Sequence, residues 1–204
     1  MTPTFPVAAV SRLRMATDGD GVTTLVCAWG CPLRCRYCLN KFTWDKNTKV
    51  DRLTAEELYA RVKLDSLYFE ATGGGITFGG GEPLLYADFF PAFRRVCGTK
   101  WKLTAETSLA VSKENLLLAA GTLDSFIVDI KDTDPAVYRA YTGTDNTEVL
   151  ENLRLLLTLA DPKKIRVRLP LIPEYNTEKH RDRSETVLRE MGVLNIERFT
   201  YIIR

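Results

Sequence analysis

Apolar residues along this chain fall into two alternating rhythms. Short runs rich in β-branched and aromatic residues predict six strands, at 22–28 (VTTLVCA), 75–79 (GITFG), 101–106 (WKLTAE), 125–130 (SFIVDI), 165–171 (IRVRLPL) and 197–203 (ERFTYII). Helical signals fill the gaps. Thr54 and Glu57 form a capping box ahead of LYARVKLDSLYF, and Ser112 opens KENLLLAA, with Gly121 as its stop. Residues 147–160 carry an apolar stripe, and 178–191 form a more charged helix closed by Gly192.

Strands alternating with helices make βα units. Such units predict a parallel sheet, because parallel neighbours need a crossover long enough to hold a helix. Right-handed crossovers wind the units into an open doubly wound sheet or a curved, barrel-like one, and in both forms ligands sit at the C-terminal strand ends. Six strands are two short of a closed eightfold barrel. With 204 residues and no repeat, low-complexity tract or linker, the chain predicts one domain over 1–204.

Composition removes some function classes. A formal charge of +2 offers no argument for nucleic acid or an anionic membrane. No segment approaches the roughly 20 apolar residues that span a bilayer. The start MTPTFPVAAVSRLRM lacks the basic and apolar regions of an export signal, so a cytoplasmic location is expected.

The cysteines change the picture more. Four of the five lie between positions 27 and 38, an odd and clustered set that argues against a disulfide framework and for metal or redox chemistry. Cys31, Cys35 and Cys38 are spaced C-x3-C-x2-C directly after the first strand, where a loop can wrap three thiolates around one metal centre. Cys27, inside the strand, and Cys97, at a helix end, are expected as small buried residues. Two centres suit three thiolates. Zinc would need a fourth ligand, and the only histidine, His180, sits in a charged helical region as an expected surface residue. A [4Fe-4S] cluster held by three cysteines keeps one iron open to an exogenous ligand. The second glycine-rich stretch, GGGITFGGGEPLL at 73–85, has neither the Gly-Lys-Ser/Thr ending of a phosphate loop nor a dinucleotide fingerprint. Glycines at a strand's C-terminal end instead let a ligand approach the backbone.

CPLRCRYC resembles the cluster loop of radical S-adenosylmethionine (SAM) enzymes, and Gly80, Gly81, Glu82 and Pro83 resemble their GGEP motif. From about residue 16 onward the chain is similar to pyruvate formate-lyase activating enzymes and their relatives, through DGDGVTTLV, CPLRCRYCLNKFTWD, GGGITFGGGEPLL, the ETS at 106–108, VDIK at 128–131 and IRVRLPLIP. The resemblance implies an α/β fold, a partial (β/α)6 barrel of parallel strands. It implies a [4Fe-4S] cluster on Cys31, Cys35 and Cys38, with SAM on the open iron. Tyr37 and Asn40 would approach the adenine, and Gly80 and Gly81 would receive the methionine amino group while Glu82 holds the loop. Asp129 and Lys131 would reach the carboxylate and ribose, and Arg168 would face the same cavity. Glu106 and Thr107 would lie near a monovalent cation, and Asp18 would meet a peptide substrate. The implied reaction is reductive cleavage of SAM to a 5′-deoxyadenosyl radical that removes hydrogen from a glycine of a glycyl-radical enzyme. The implied electron donor is a flavodoxin or ferredoxin, and the chain is expected to act as a monomer.

The chain departs from the family pattern at four points. Glu106 stands where Asp is frequent, and Ile202 stands where the sixth strand commonly ends near a His. Relatives continue through a helical segment beyond the position of Arg204. Between Cys38 and Gly73 there is no room for the ferredoxin-like insert of some relatives.

Overall fold

The computed structural model describes residues 2–15 and 17–201. The chain runs through β1 (Phe5–Met15), β2 (Val22–Ala28), β3 (Asp51–Leu53), α1 (Ala55–Val62), α2 (Ser66–Thr72), β4 (Gly75–Gly80), α3 (Phe89–Cys97) and β5 (Lys102–Thr107). It continues through α4 (Lys113–Ala120), β6 (Ser125–Asp129), α5 (Pro135–Thr142), α6 (Thr147–Leu159), β7 (Ile165–Leu171), α7 (Glu178–Glu190) and β8 (Asn195–Thr200). One sheet of order β3-β1-β2-β4-β5-β6-β7-β8 gathers all eight strands, and its end strands do not pair with each other. The six strands from β2 to β8 in that order are mutually parallel and correspond to the six expected from sequence. An unclosed parallel sheet with helices in its crossovers is the partial barrel that was expected.

Two strands go beyond that expectation. β1 and β3 extend the sheet antiparallel past β2. β1 is hard to recognise because Pro6 cannot donate to a ladder and its later half alternates into Arg12 and Arg14. β3 is only three residues long. The helix opened by Thr54 has its capping box complete. It does not run on to Phe69, however: a 3-10 turn at Lys63–Asp65 separates α1 from α2. There the fully buried Asp65 carboxylate accepts from Arg12 Nε and from Thr24 Oγ1 at 2.7 Å. The remaining stop and start signals hold, with Ser112 capping α4, Gly121 ending it, and Gly192 following α7 in a left-handed conformation.

Period-2 alternation divides each parallel strand between two environments. Val26, Ile76, Phe78, Leu103, Ala105, Phe126, Val128 and Val167 point outward into one apolar core with the helices. Their neighbours point into the concave face and are mostly polar: Thr77, Thr104, Glu106, Asp129, Arg166 and Arg168. The sheet therefore wraps a polar bore. Among the described residues no helix is long and apolar enough to cross a membrane.

Candidate cofactor cavity

At the C-terminal ends of the parallel strands, on the concave side, lies a cavity of about 220 Å³. Cys31, Cys35 and Cys38 form one wall. Their loop leaves β2 and is braced from two directions. Its backbone N–H groups at Arg34 and Arg36 donate to the carbonyls of Thr142 and Tyr141, at the C-terminal end of α5, at 3.0 and 3.1 Å. Arg34 also donates to the Leu33 carbonyl at 2.8 Å and lays its guanidinium over Trp44. A helix C-terminus carries unpaired carbonyls, so α5 is a natural anchor for loop amides.

The second wall is the end of β4 with Gly80 and Gly81. Gly80 has a φ of 82°, and a Cβ there would sit 2.6 Å from Cys27 Cβ; one on Gly81 would strike the Gly30 carbonyl. These glycines let the GGEP turn press onto the root of the cysteine loop, where Gly81 and Glu82 donate to the carbonyls of Ala28 and Gly30 at 3.1 and 2.8 Å. Close approach here is between two loops of the protein. Asn40 adds a third tie, its amide donating to the Gly80 carbonyl at 3.2 Å.

Glu82 is fully buried and stands behind the wall. It accepts from Leu84 N at 3.2 Å, Thr107 Oγ1 at 2.6 Å, Ser108 N at 2.8 Å and Ser108 Oγ at 2.7 Å, clamping the GGEP turn to the end of β5. Burial pushes its carboxyl above the ordinary value, and those donors pull it back.

The floor is a row of alternating charges at three strand ends. Arg168 meets Glu106 and donates to Asp129 at 2.7 Å, and Lys131 donates to the other oxygen of Asp129 at 3.0 Å. Against the cost of burial, Lys131 and Arg168 hold the Asp129 carboxyl below its usual range, and Asp129 carries the Lys131 ammonium well above its own. Asp129 and Lys131 are thus both an ion pair and part of the cavity lining.

An aromatic side completes the cavity. Tyr37 donates to Glu174 at 2.6 Å, a bond that lifts its phenol to about 12, and its ring packs against Tyr141 and Tyr175. Tyr201 accepts from Lys131 at 2.9 Å. Tyr141, Phe199 and Tyr201 line the cavity but are not among the residues that the sequence motifs single out. For Tyr141 a signal existed: Asp134 followed by Pro135, then Gly143, is a helix start and stop around YRAY.

Two expectations meet a different geometry. Asp18 does not line this cavity; it is buried, paired with Arg14, and its carbonyl accepts from Thr77. Thr107 gives its hydroxyl proton to Glu82, and Glu106 is neutralised by Arg168, so a monovalent cation beside them would compete with a guanidinium. Ile202 lies outside the described residues. His180 Nδ1 accepts from the backbone N–H of Thr177 in the cap of α7, which accounts for it without a ligand role.

The donor set suits a cubane cluster. All five cysteines are free, and Cys31, Cys35 and Cys38 are all partly exposed. Burial pushes the Cys31 thiol up to about 12 and raises Cys35 as well, so binding a metal here would release thiol protons. Among the described residues no three Cys, His, Asp or Glu side chains form a group able to hold a single metal ion. A cube spreads three thiolates over three irons and needs them around a space instead. Cys27 is buried on the concave face of β2, and Cys97 is half-buried at the end of α3.

Comparison with known proteins gives the same direction. A family model described as the radical SAM superfamily matches residues 26–185. The (2S)-3-sulfopropanediol dehydratase activating enzyme of Klebsiella oxytoca is 27% identical, over 86% of this chain and 74% of that protein. The pyruvate formate-lyase-activating enzyme of Clostridium pasteurianum is 32% identical, over 79% of this chain and 67% of that protein. Among solved structures, Streptococcus suis SuiB bound to the precursor peptide SuiA superposes with a TM-score of 0.65 at 14% identity, over 87% of this chain and 39% of SuiB. Native anSMEcpe with bound AdoMet gives 0.62 at 18% identity, over 87% of this chain and 52% of that one. These structures share the fold. The chain spans two fifths to one half of their length.

Proposed function

Because the chain belongs to the radical SAM superfamily, whose members use a [4Fe-4S] cluster and SAM, we propose that it activates a glycyl-radical enzyme by removing a hydrogen atom from a glycine Cα of that larger partner. Cys31, Cys35 and Cys38 would hold the cluster, and the cavity between them and the strand ends would hold SAM. When bound, the reduced cluster would supply the electron for cleaving SAM, and the resulting 5′-deoxyadenosyl radical would be the species that takes the glycine hydrogen. The protein's own residues bind, orient and exclude water. Arg168 and Lys131 present cationic groups toward an amino-acid carboxylate, and Asp129 and Glu106 present acceptors toward an ammonium or ribose hydroxyls. Tyr37 offers a ring face to adenine. Asn40 and Glu82 hold the two loops in register, so that the reacting carbon and the glycine can be brought into near contact.

One observation carries this reading. Three free thiols, a glycine-edged strand end and a row of strand-end charges surround a single cavity at the C-terminal end of a partial barrel. The two curated relatives described above, both named activating enzymes, favour a protein substrate. A flavodoxin or ferredoxin would donate the electron, and the chain would act as a single domain and a monomer.

The test has two stages. Anaerobically reconstituted protein should contain about four irons and four sulfides per chain and should convert SAM to 5′-deoxyadenosine under reduction. Incubation with a pyruvate formate-lyase-type partner should then produce a glycine-centred EPR doublet. Zinc in place of iron would end the enzyme reading. SAM cleavage with no doublet from any glycyl-radical partner would instead point to a small molecule or another peptide as substrate.

A further inference from the structure

Among the described residues, three that are not glycine hold a positive φ: Leu13 at 55°, Leu109 at 60° and Glu174 at 70°. Such a conformation costs free energy for a residue with a Cβ, and it persists where the surroundings fix it. At Glu174 the fixing is visible. The turn after β7, at 172–176, folds back on the Ile172 carbonyl, which accepts from the amides of Tyr175 and Asn176 at 3.1 and 3.0 Å. The buried Asn176 side chain pins the turn. Its Oδ1 accepts from Ile172 N at 2.6 Å, and its Nδ2 donates to the Pro170 carbonyl and to Asp132, both at 3.1 Å.

Of the three residues only Glu174 has a polar side chain, and its carboxylate accepts from the Tyr37 hydroxyl at 2.6 Å. That length belongs to a charge-assisted hydrogen bond, for which about 2.5–2.7 Å is usual. Tyr175, next in the turn, meets the Tyr37 ring nearly at right angles, with centroids 5.6 Å apart. One pinned turn therefore holds Tyr37 at its hydroxyl and at its ring. Tyr37 lines the cofactor cavity, whereas Glu174 does not. Fixing a side chain before its ligand arrives removes an ordering cost from binding. We propose that Glu174 is a positioning residue for the nucleoside half of SAM: its carboxylate fixes the Tyr37 ring in the cavity wall and so sets how tightly the nucleoside is held. The proposal rests on the reading of this cavity as the SAM site, with the Tyr37 ring toward adenine. It adds a residue outside the cysteine loop, the glycine turn and the strand-end charges.

Tyr37→Phe supplies an internal comparison, since it removes the same bond from the other end. The full-length parent, Glu174→Ala, Glu174→Gly, Glu174→Gln, Tyr37→Phe and the double variant Glu174→Ala with Tyr37→Phe should be reconstituted anaerobically. Their affinities for SAM should then be measured by equilibrium dialysis. Glu174→Ala and Glu174→Gly should each bind SAM about 3- to 10-fold more weakly, with the parent's iron and sulfide content. Glu174→Gln, whose amide oxygen still accepts, should recover most of that loss. Tyr37→Phe should lose the same factor, and adding Glu174→Ala to it should lose no more. 5′-Deoxyadenosine, used as a competitor, should lose that factor, and methionine should lose none. In the loaded protein without SAM, Glu174→Gly should melt above Glu174→Ala, because glycine accepts the positive φ without strain. Affinity then follows the carboxylate while stability follows the backbone.

Unchanged SAM affinity in both Glu174→Ala and Glu174→Gly would overturn the proposal. So would affinity restored in Glu174→Gly alone, a further loss on the Tyr37→Phe background, or a fall in cluster content. A loss shared by methionine would overturn the assignment to the nucleoside. A parent chain that acquires its cluster yet binds no SAM would defeat the reading of the cavity itself, a result distinguishable from any of these because it involves no variant.

Discussion

Arg168 donates from Nε to Asp129 Oδ1 at 2.7 Å, and the two residues are register partners on adjacent parallel strands. The other end of the guanidinium meets Glu106 on the next strand, so one side chain joins the ends of β5, β6 and β7. Removing it leaves Glu106 without its cation in a partly buried site, which costs more than the pair contributes. Arg168→Leu should lower unfolding stability by about 2–3 kcal/mol in a urea titration and weaken SAM binding at least tenfold. Arg168→Lys should recover part of both, since an ammonium reaches one carboxylate but cannot fork between two. An unchanged urea midpoint in Arg168→Leu would show that the charge row does not hold the strand ends.

Glu82 presents a second, sharper case. Its two oxygens accept four donors from the GGEP turn and the end of β5, two of them backbone amides. Glu82→Gln keeps the shape but turns one acceptor into a donor facing donors. The loss should be about 1–3 kcal/mol of thermal stability, with iron content retained and SAM affinity reduced, because Gly80 and Gly81 lean on that turn. A variant that melts with the parent would mean that the turn is held by its backbone bonds alone.

Much of this arrangement was visible in the letters, for identifiable reasons. The parallel strands announce themselves because each is short and rich in β-branched or aromatic residues, with helical segments between most of them, and the C-x3-C-x2-C spacing is too dense for a chance set of buried cysteines. β1 was hidden by Pro6 and by its drift into arginines, and β3 by its brevity. The polar bore was legible but unread. Segments such as ITFG, LTAE and IRVR alternate apolar with polar, whereas a parallel strand covered on both faces would be apolar throughout. The aromatic side of the cavity could not be read, since Tyr141, Tyr175 and Tyr201 come from three distant segments that only the fold brings together. Asp18 shows the opposite limit: a motif match gave it a substrate role, while its carboxylate is buried on Arg14.

The cysteines can be sorted by one measurement. Cys31, Cys35 and Cys38 face the cavity; Cys27 is packed under Gly80, where burial pushes its thiol to about 11, and Cys97 lies at the far end of α3. Alanine at any of the first three should abolish 5′-deoxyadenosine formation and reduce bound iron severalfold, with far-UV circular dichroism unchanged. Alanine at Cys27 or Cys97 should leave iron, sulfide and activity near the parent's. If Cys27→Ala loses its iron while Cys38→Ala keeps it, the triad is misassigned.

Acid should act on the fold through a different group, far from the thiols. Asp65 is fully buried and accepts from Arg12 and Thr24, linking the 3-10 turn between α1 and α2 to β1 and β2. Its bond from Arg12 comes first among the causes holding its carboxyl below the ordinary value, and burial opposes it. A carboxyl depressed on folding contributes stability above its unfolded pKa, about 3.9, and that stability is lost as pH falls through the folded value. Asp65→Asn should therefore melt below the parent at pH 7, by an amount equivalent to about 1–3 kcal/mol. The gap should stay constant down to about pH 5 and close as the pH falls further, because the parent's carboxyl then protonates and becomes as neutral as the amide. Melting curves of both proteins between pH 3 and pH 8 would test this, and a gap that persists undiminished at pH 3 would show that Asp65 acts through shape and not through charge.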